Sequence, residues 1–315
     1  MYISVIIPNY NHGAFLQQRI ESVLNQTFQD FELIILDDCS TDNSKAIIET
    51  YRYHPKVSTI EYNLENTGST FLQWKKGIEL AKGEWIWIAE SDDWCETTLL
   101  VELTTPAIKY SDCTLSYCQS IIIRNNEILT YNNENSFKEL LDGRTFALEN
   151  LIKENNIVNA SMCIFKRSEY FNISQEFTKY KFMGDCLFWI EIALKGKVHV
   201  SGKHLNYFRK HENDVSSSAY TLGHYYSEYF QLLKFVDLRY NLIGDHLVTL
   251  LQQRQQRFLI DKKIEPSLRK PIDTMFKKYL GFKYYKEPSS FFIKLMREKS
   301  KILQETLSQK IKNIF

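Results

Sequence analysis

The chain of 315 residues contains no apolar run long enough to cross a membrane. A spanning helix needs about 20 consecutive, predominantly apolar residues. Met1–Pro8 also lacks the basic start and the length of a secretory signal. We therefore expect a cytoplasmic protein that is soluble or attached at most to the inner face of the plasma membrane.

Cysteine and net charge are both scarce. The 6 cysteines form no C-x-x-C pair and no zinc-site spacing. They are typical of reduced packing residues in a cytosolic protein. A net charge of +1 argues against a dedicated nucleic-acid-binding protein. The remaining composition, 44% hydrophobic and 24% charged, is that of an ordinary globular chain.

Glycine-rich phosphate-binding motifs are absent as well. The chain has 11 glycines, but no G-x-G-x-x-G follows the first predicted strand and no P-loop occurs. A bound phosphate must then be held by a metal ion and side chains instead of a glycine-rich backbone cradle.

Strands and helices alternate through the first 95 residues. Short β-branched runs predict buried strands at 2–7, 31–36, 57–62 and 85–89. Apolar residues at helical spacing predict the intervening helices, at 15–24, 44–53 and 69–81. This order predicts βαβ units and an α/β fold with a mainly parallel sheet.

The second half of the chain has weaker patterns. Short strands are predicted at 115–118, 121–124, 160–165, 198–201 and 205–208. The polar stretch 125–136 is predicted to be a loop or a hairpin tip. Helices are predicted at 96–110, 145–153, 186–194, 220–240, 245–261, 271–279 and 291–312. We therefore predict an α/β domain at 1–219 and a helical extension at 220–315.

Acidic residues follow two of the predicted strands. Asp37 and Asp38 end the second strand, and Glu90, Asp92 and Asp93 follow the fourth. Because the carboxyl ends of parallel strands share one edge, we expect these residues to face one crevice. Such concentrated negative charge is costly without a cation, and Mg²⁺ or Mn²⁺ holding phosphate oxygens is a suitable partner. The alternative for the triplet alone is a solvated acidic loop.

An ordered set of motifs resembles the family 2-type glycosyltransferases of GT-A fold. The set comprises Ser4–Asn11, Ser22–Thr27, Glu32–Asp42, Asn66–Gly68, Gly77 with Ala81–Glu84, and Glu90–Asp93. Gly184-Asp185 and Phe208–His211 extend the likeness to about residue 216. The resemblance implies a Rossmann-like mixed, mainly parallel sheet flanked by helices, followed by a helical extension. It also implies an enzyme that transfers a sugar, with inversion, from a nucleotide-sugar donor.

The resemblance further implies roles for single residues. Asp92 is the preferred ligand of Mn²⁺ or Mg²⁺, with Asp93 and Glu90 behind it. Asp37 or Asp38 is expected to accept a hydrogen bond from the base N3–H, which favours a UDP or dTDP donor. The full set expected to bind the donor is Pro8, Tyr10, Asp37, Asp38, Asn66, Gly68, Glu90, Ser91, Arg209 and His211. His211 is expected to meet either the metal or the diphosphate, and Arg209 either phosphate or an acidic side chain.

Asp185 is the expected catalytic base. Inverting transfer needs a carboxylate to remove the proton of the attacking hydroxyl. Asp185 follows Gly184 at a predicted helix start, where backbone N–H groups stabilise an anion. Helix capping is its alternative role. The expected acceptor is a glycan or a lipid-linked molecule used to build a bacterial surface polysaccharide.

The chain departs from the family pattern in two places. Glu90 stands where the family commonly has Asp, and Gln73-Trp74-Lys75-Lys76 replaces an Arg-Asn pair.

Two other functions remain open. A sugar-nucleotide pyrophosphorylase would need a glycine-rich basic loop, which residues 9–13 lack. A non-catalytic nucleotide-sugar-binding protein would not need Asp92, Asp93 and Asp185 together.

The C-terminal segment is the most basic part of the chain. Residues 262–315 carry 14 basic and 5 acidic side chains, interleaved with aromatic residues. Such a segment suits peripheral contact with an anionic membrane. The alternative is a set of helices that pack on the core with solvated lysines.

Overall fold

The computed structural model describes residues 2–125, 127–131, 140–211, 224–244, 246–261 and 264–285. Contacts divide the chain into two units, residues 1–214 and 215–315. The predicted helix at 291–312 and half of the polar stretch 125–136 (residues 126 and 132–136) lie outside the described residues.

Four parallel strands form one half of the sheet, in the order β3-β2-β1-β4. They are β1 (Ile3–Asn9), β2 (Phe31–Asp37), β3 (Val57–Tyr62) and β4 (Trp85–Ile88). The connecting helices are α1 (Gly13–Leu24), α2 (Ser44–Thr50) and α3 (Thr70–Leu80). Every residue of β1, β2 and β4 is buried, as expected for strands covered by helices on both faces. The register pairs Asn9 with Asp37 and Asp37 with Tyr62, so three strands end level at one edge.

The other half of the sheet contains six more strands. They are β5 (Trp94–Cys95), β6 (Cys113–Arg124), β7 (Glu127–Tyr131), β8 (Leu141–Asp142), β9 (Cys163–Lys166) and β10 (Lys197–Lys210). The complete order is β3-β2-β1-β4-β9-β6-β10-β5, with β7 beside β6 and β8 beside β10. The predicted mixed sheet flanked by helices is confirmed.

The antiparallel strand β9 determines the direction of β10. β9 runs antiparallel to both β4 and β6, and β10 runs parallel to β6. Two reversals therefore restore the direction of β1 to β4, and β10 ends at the same edge as they do. His211, one residue after β10, is placed at that edge.

Further helices complete both units. In the first unit they are α4 (Leu99–Lys109), α5 (Gly143–Phe146), a π-helix (Ala147–Lys153), 3₁₀ turns (Ala160–Met162 and Glu176–Lys179), α6 (Arg167–Tyr170) and α7 (Gly184–Ala193). The second unit has α8 (His224–Tyr240), α9 (His246–Ile260) and α10 (Pro266–Tyr285), in agreement with the predicted helical pattern. None of the helices in the described ranges is both long and apolar enough to span a membrane.

Two predicted strand breaks do not occur. Residues 115–124 form part of the single strand β6, and residues 198–208 lie within β10, which has irregular register around His204. The polar residues that suggested a break in β6 are buried and hydrogen-bonded to β10. Gln119 donates to the Ser201 carbonyl, and Asn206 donates to Ser120 Oγ. The amide nitrogen of each side chain thus finds an acceptor on the other strand, which helps the strand to continue through the interior.

A buried polar network joins the amino ends of β1 and β2 to the turn before β4. Ser4 Oγ donates to Glu32 Oε1 (2.6 Å), and Gly83 N donates to Ser4 Oγ (2.8 Å). Lys82 N also donates to Glu32 Oε1 (2.8 Å). A Cβ on Gly83 would lie only 2.5 Å from the backbone nitrogen of Ser4. Glycine is therefore required for this close approach.

We expect Gly83→Ala to destabilise the first unit by about 1–3 kcal/mol, because the added methyl group overpacks against backbone. Urea unfolding followed by tryptophan fluorescence would measure this, since all 5 tryptophans lie before residue 190. Lys82→Ala is the matched control, because the Lys82 side chain is exposed and its N–H is retained. Equal midpoints for Gly83→Ala and Lys82→Ala would contradict the packing argument.

Candidate active site

The loops that follow β1 and β2 are hydrogen-bonded to each other. Asn9 Nδ2 donates to Asp37 Oδ1 (2.7 Å), and Thr41 N donates to Asn11 Oδ1 (2.7 Å). Asn11 has a φ of 55°, in the left-handed region that asparagine tolerates better than most residues. Pro8 lies within β1, and the side chain of Tyr10 is 46% exposed just beyond it.

Asp37 and Asp38 are buried and accept hydrogen bonds from neighbouring loops. Asp37 also accepts from Ser40 Oγ (2.6 Å). Asp38 Oδ1 accepts from Asn63 Nδ2 (2.6 Å) and Gln73 Nε2 (3.0 Å). These bonds show how the two carboxylates shape the crevice, and their contact with a base stays a prediction.

The segment after β3 is folded onto Asp38. Thr67 donates to the Asp38 carboxylate through both its N–H and its hydroxyl. Asn66 Nδ2 donates to the Asp38 carbonyl (3.1 Å), and Gly68 N donates to Asn66 Oδ1 (2.7 Å). Gly68 has a φ of 68°, a conformation that side chains rarely adopt. Asn66 and Gly68 are thus placed beside Asp38, at the expected nucleotide end of the site.

Glu90 is held by the region where the chain departs from the family pattern. Trp74 Nε1 donates to Glu90 Oε1 (2.9 Å), and Ser161 Oγ accepts from Glu90 N (3.0 Å). Burial, with the nearby charge of Asp92, raises the pKa of Glu90 to about 8. Glutamate, which is longer than the aspartate common in the family, thus places its carboxylate against the buried indole N–H of Trp74.

Asp93 is turned into the protein interior and is 1% exposed. Its carboxylate accepts from Arg209 N (3.0 Å) and from Asn159 Nδ2. Arg19 Nη2 lies 3.8 Å from Asp93 Oδ2, and the Arg19 side chain is completely buried. Burial, with the charge of Asp92, raises the pKa of Asp93 to about 7. Arg19 thus places a buried positive charge beside Asp93. Sequence reasoning did not identify this residue.

Asp92 meets two histidines instead of a second carboxylate. His211 Nε2 lies 3.1 Å from Asp92 Oδ2. One ligand atom from each of His12, Asp92 and His211 lies within 4.8 Å of the other two. Burial alone would raise the pKa of Asp92, but the His211 hydrogen bond and the charges of both histidines lower it. Two imidazoles and a carboxylate form a donor set that suits a first-row divalent ion.

His12 was not predicted from the sequence, where it stands in a turn between Asn11 and Gly13. Its Nδ1 shares a hydrogen bond with the buried Ser91 Oγ (2.8 Å). The rings of His12 and His211 meet edge to face, with centroids 5.5 Å apart. Burial lowers the pKa of His12. A lone histidine in a turn carries no local signal for this role, because its partners follow it by 79 residues or more.

Arg209 is clamped between two aromatic rings. Its guanidinium lies 4.2 Å from the Phe15 ring centroid and 4.5 Å from that of Trp94. Nη1 donates to the Asp92 carbonyl (2.9 Å), and Nη2 donates to Gln18 Oε1 (2.8 Å). The guanidinium thus contacts the backbone of the acidic segment, and its contact with phosphate or with an acidic side chain stays a prediction.

Asp185 begins α7, as predicted, and is half-buried. Its Oδ1 accepts from the N–H of Cys186 (2.7 Å). A Cβ on the preceding Gly184 would lie 2.4 Å from the Phe177 carbonyl oxygen and 2.6 Å from the Phe71 ring. Close packing without a side chain at Gly184 thus fixes the start of α7 against α3. Because α7 leads back to the start of β10, its amino end lies toward the carboxyl edge of the sheet.

Comparison with solved structures confirms the predicted GT-A fold. Staphylococcus aureus TarS 1-349 in complex with UDP-GlcNAc matches this chain with a TM-score of 0.70 and 20% sequence identity. The match covers 90% of this chain and 83% of that one. At this identity the likeness establishes the architecture alone.

Sequence relatives match over limited stretches of the chain. The glycosyltransferase GlyG of Streptococcus pneumoniae is 41% identical over 91 residues, which cover 29% of this chain and 30% of GlyG. The poly(ribitol-phosphate) beta-glucosyltransferase of Bacillus spizizenii is 31% identical over 169 residues, which cover 50% of this chain and 26% of that enzyme. The chain therefore spans less than a third of the length of these curated relatives.

The sequence model of the family named Glycosyl transferase family 2 matches residues 4–172, which is more than half of the chain. The chain belongs to glycosyl transferase family 2.

Proposed function

We propose that the chain transfers a sugar, with inversion, from a UDP- or dTDP-sugar to a hydroxyl group, in a reaction that depends on Mn²⁺ or Mg²⁺. The observation that carries the proposal is the meeting of Asp92 and His211 at the carboxyl edge of the sheet. The two residues are 119 positions apart, and the loops after β1 and β2 lie at the same edge. A titratable cluster at this edge is expected where a ligand binds.

Asp92 and His211 are the residues proposed to hold the metal. A bound divalent ion would offset the negative charge that develops on the diphosphate as it leaves. Asp93 is proposed to support this site instead of joining it, because its carboxylate already accepts from Arg209 and lies beside Arg19. Glu90, bonded to Trp74, is proposed to face the donor with its remaining carboxylate oxygen.

The nucleotide is proposed to occupy the crevice beside the loops after β1, β2 and β3. Pro8, Tyr10, Asn66 and Gly68 are proposed to line this crevice, and Asp37 or Asp38 is proposed to accept from the base N3–H. A neighbour of the same fold has been solved in complex with UDP-GlcNAc, which supports a uracil nucleotide.

The proposed acceptor is a hydroxyl on a glycan or lipid-linked polymer of the bacterial surface. The name of the Bacillus relative specifies poly(ribitol-phosphate) as the molecule that it glucosylates. A polymer of this kind offers many hydroxyl groups between anionic phosphates. The cytoplasmic location, and membrane contact through the basic segment at 262–315, stay predictions.

Asp185 is proposed to remove the proton of the attacking hydroxyl. The N–H of Cys186 binds one carboxylate oxygen and so helps to orient the carboxylate. The half-buried position gives an acceptor access to this side chain.

Binding of the donor should stabilise the protein in a nucleotide- and metal-dependent way. We expect UDP- or dTDP-sugars with Mn²⁺ or Mg²⁺ to raise Tm, whereas GDP- and CMP-sugars should not. At a ligand concentration of 100 times Kd the gain is about 2.7 kcal/mol. A thermal-shift panel measures this, with EDTA as the metal-free control. A panel in which no donor and no metal raises Tm would contradict the proposal.

Asp185→Asn should retain donor binding and lose transfer. Loss of a general base typically costs roughly 10²–10⁴-fold in rate. Donor affinity from the thermal shift should stay within about twofold, because the proposed role concerns the acceptor alone. Asp112→Asn is a control for charge removal, since Asp112 forms an exposed ion pair with Lys197. Transfer near the wild-type rate in Asp185→Asn would rule out this residue as the base.

Arg19 should be essential because it compensates a buried charge. Arg19 Nε also donates to the Glu90 carbonyl (2.8 Å), so Arg19 and Arg209 hold the segment of Asp92 from opposite sides. Arg19→Met should lower the free energy of unfolding by about 3–5 kcal/mol, because Asp93 loses the buried positive charge beside it. Adding Asp93→Asn should restore part of this loss. Urea unfolding of the single and double variants measures the coupling, and purely additive effects would contradict it.

A further inference from the structure

His12 has a position that helix capping does not explain. The residue immediately precedes α1, where a polar side chain commonly caps the helix. His12 makes no side-chain capping bond; instead Asp42 Oδ2, from the loop before α2, accepts from Gly13 N (2.8 Å). The imidazole is therefore available for another role at the sheet edge.

Packing alone also leaves part of the geometry unexplained. A buried histidine is ordinarily satisfied by one or two hydrogen bonds, and Ser91 accounts for one at Nδ1. The same ring, however, offers a ligand atom within 4.8 Å of both the Asp92 carboxylate and the His211 imidazole. Ligand atoms bound to one ion at about 2.1 Å lie roughly 3–3.5 Å apart. Side-chain movements of about an ångström would close this group around a cation.

We propose that His12 is the third protein ligand of the metal held by Asp92 and His211, and that Ser91 orients its ring. This inference rests on the metal-dependent function proposed above. The hydrogen bond at Nδ1 leaves Nε2 as the ligating nitrogen, in the way that outer partners commonly fix the orientation of metal-bound histidines. His12 and Ser91 come from separate loops, so the tertiary fold brings them together. No local sequence motif contains both.

A third protein ligand would affect which metal ion is preferred. It would also connect the metal to the proposed base-binding end of the site. Mg²⁺ prefers oxygen ligands, whereas imidazole suits transition ions, so a second imidazole favours Mn²⁺ over Mg²⁺. The loop that carries His12 follows directly after Asn9, which ends β1 and is bonded to Asp37. The metal and the proposed base-binding end are therefore joined through one short, hydrogen-bonded segment.

Metal affinity can be measured without any sugar transfer. The full chain is stripped of metal, and MnCl₂ is titrated while the electron paramagnetic resonance signal of free Mn²⁺ is followed, with and without UDP. Competition by MgCl₂ gives the ratio of the two affinities. The variants are His12→Phe, which keeps an aromatic ring, and Ser91→Ala, with Asp92→Asn as the reference for loss of the site. His246→Gln, exposed in the second unit, controls for adventitious binding by histidine.

His12→Phe should raise the Kd for Mn²⁺ at least about tenfold and should reduce the preference for Mn²⁺ over Mg²⁺. Ser91→Ala should raise this Kd about tenfold, as for other partners of metal-bound histidines. His246→Gln should bind as the wild type does. Circular dichroism checks folding, and if His12→Phe does not fold, His12→Gln and Ser91→Ala decide the question.

The outcomes separate this inference from the function on which it rests. A Kd within twofold of wild type in the His12 and Ser91 variants, with Asp92→Asn unable to bind Mn²⁺, overturns the role of His12 and leaves the proposed metal site intact. Wild-type protein that binds no Mn²⁺ even with UDP, or Asp92→Asn that binds it normally, overturns both.

Discussion

Three carboxylates within four residues at the end of β4 require compensating positive charge, and the fold provides it from two directions. Arg19 approaches from α1, completely buried, beside Asp93 and the Glu90 carbonyl. Arg209 approaches from β10, held between the rings of Phe15 and Trp94. Both arginines bind the acidic segment through its backbone or through the carboxylate of Asp93, its most buried acidic residue. The Asp92 side chain therefore faces the histidines.

This arrangement depends on the direction of the strands as much as on charge. The antiparallel β9 lies between β4 and β6, and it allows β10 to run in the same direction as the first four strands. His211 therefore reaches the carboxyl edge where β4 and β2 also end. If β10 ran the opposite way, Arg209 and His211 would lie at the far edge of the sheet, and Asp92 would lose its hydrogen bond to His211.

The acidic residues at this edge differ in the hydrogen bonds that they accept and in their exposure. Asp37 and Asp38 receive hydrogen bonds from the loops around them, and Asp93 receives them from Arg209 and Asn159. Burying a carboxylate is tolerable only with such partners. Asp92 and Asp185, by contrast, retain partial exposure, as their proposed roles of metal ligand and base require.

The sequence by itself determined the βαβ order of the first 95 residues, the acidic strand ends and the family likeness, because these are written in local periodicity and in the order of short motifs. It predicted strand breaks within β6 and β10 that do not occur, since the amide nitrogens of the buried Gln119 and Asn206 donate hydrogen bonds between the two strands. Only the tertiary structure decided that Asp93 points inward, that Glu90 meets Trp74, that Arg19 lies beside Asp93 and that His12 lies near Asp92. Arg19 lies 71 residues from Glu90, and His12 lies 79 from Ser91. Contacts over such separations follow from strand order and direction, which no local pattern encodes.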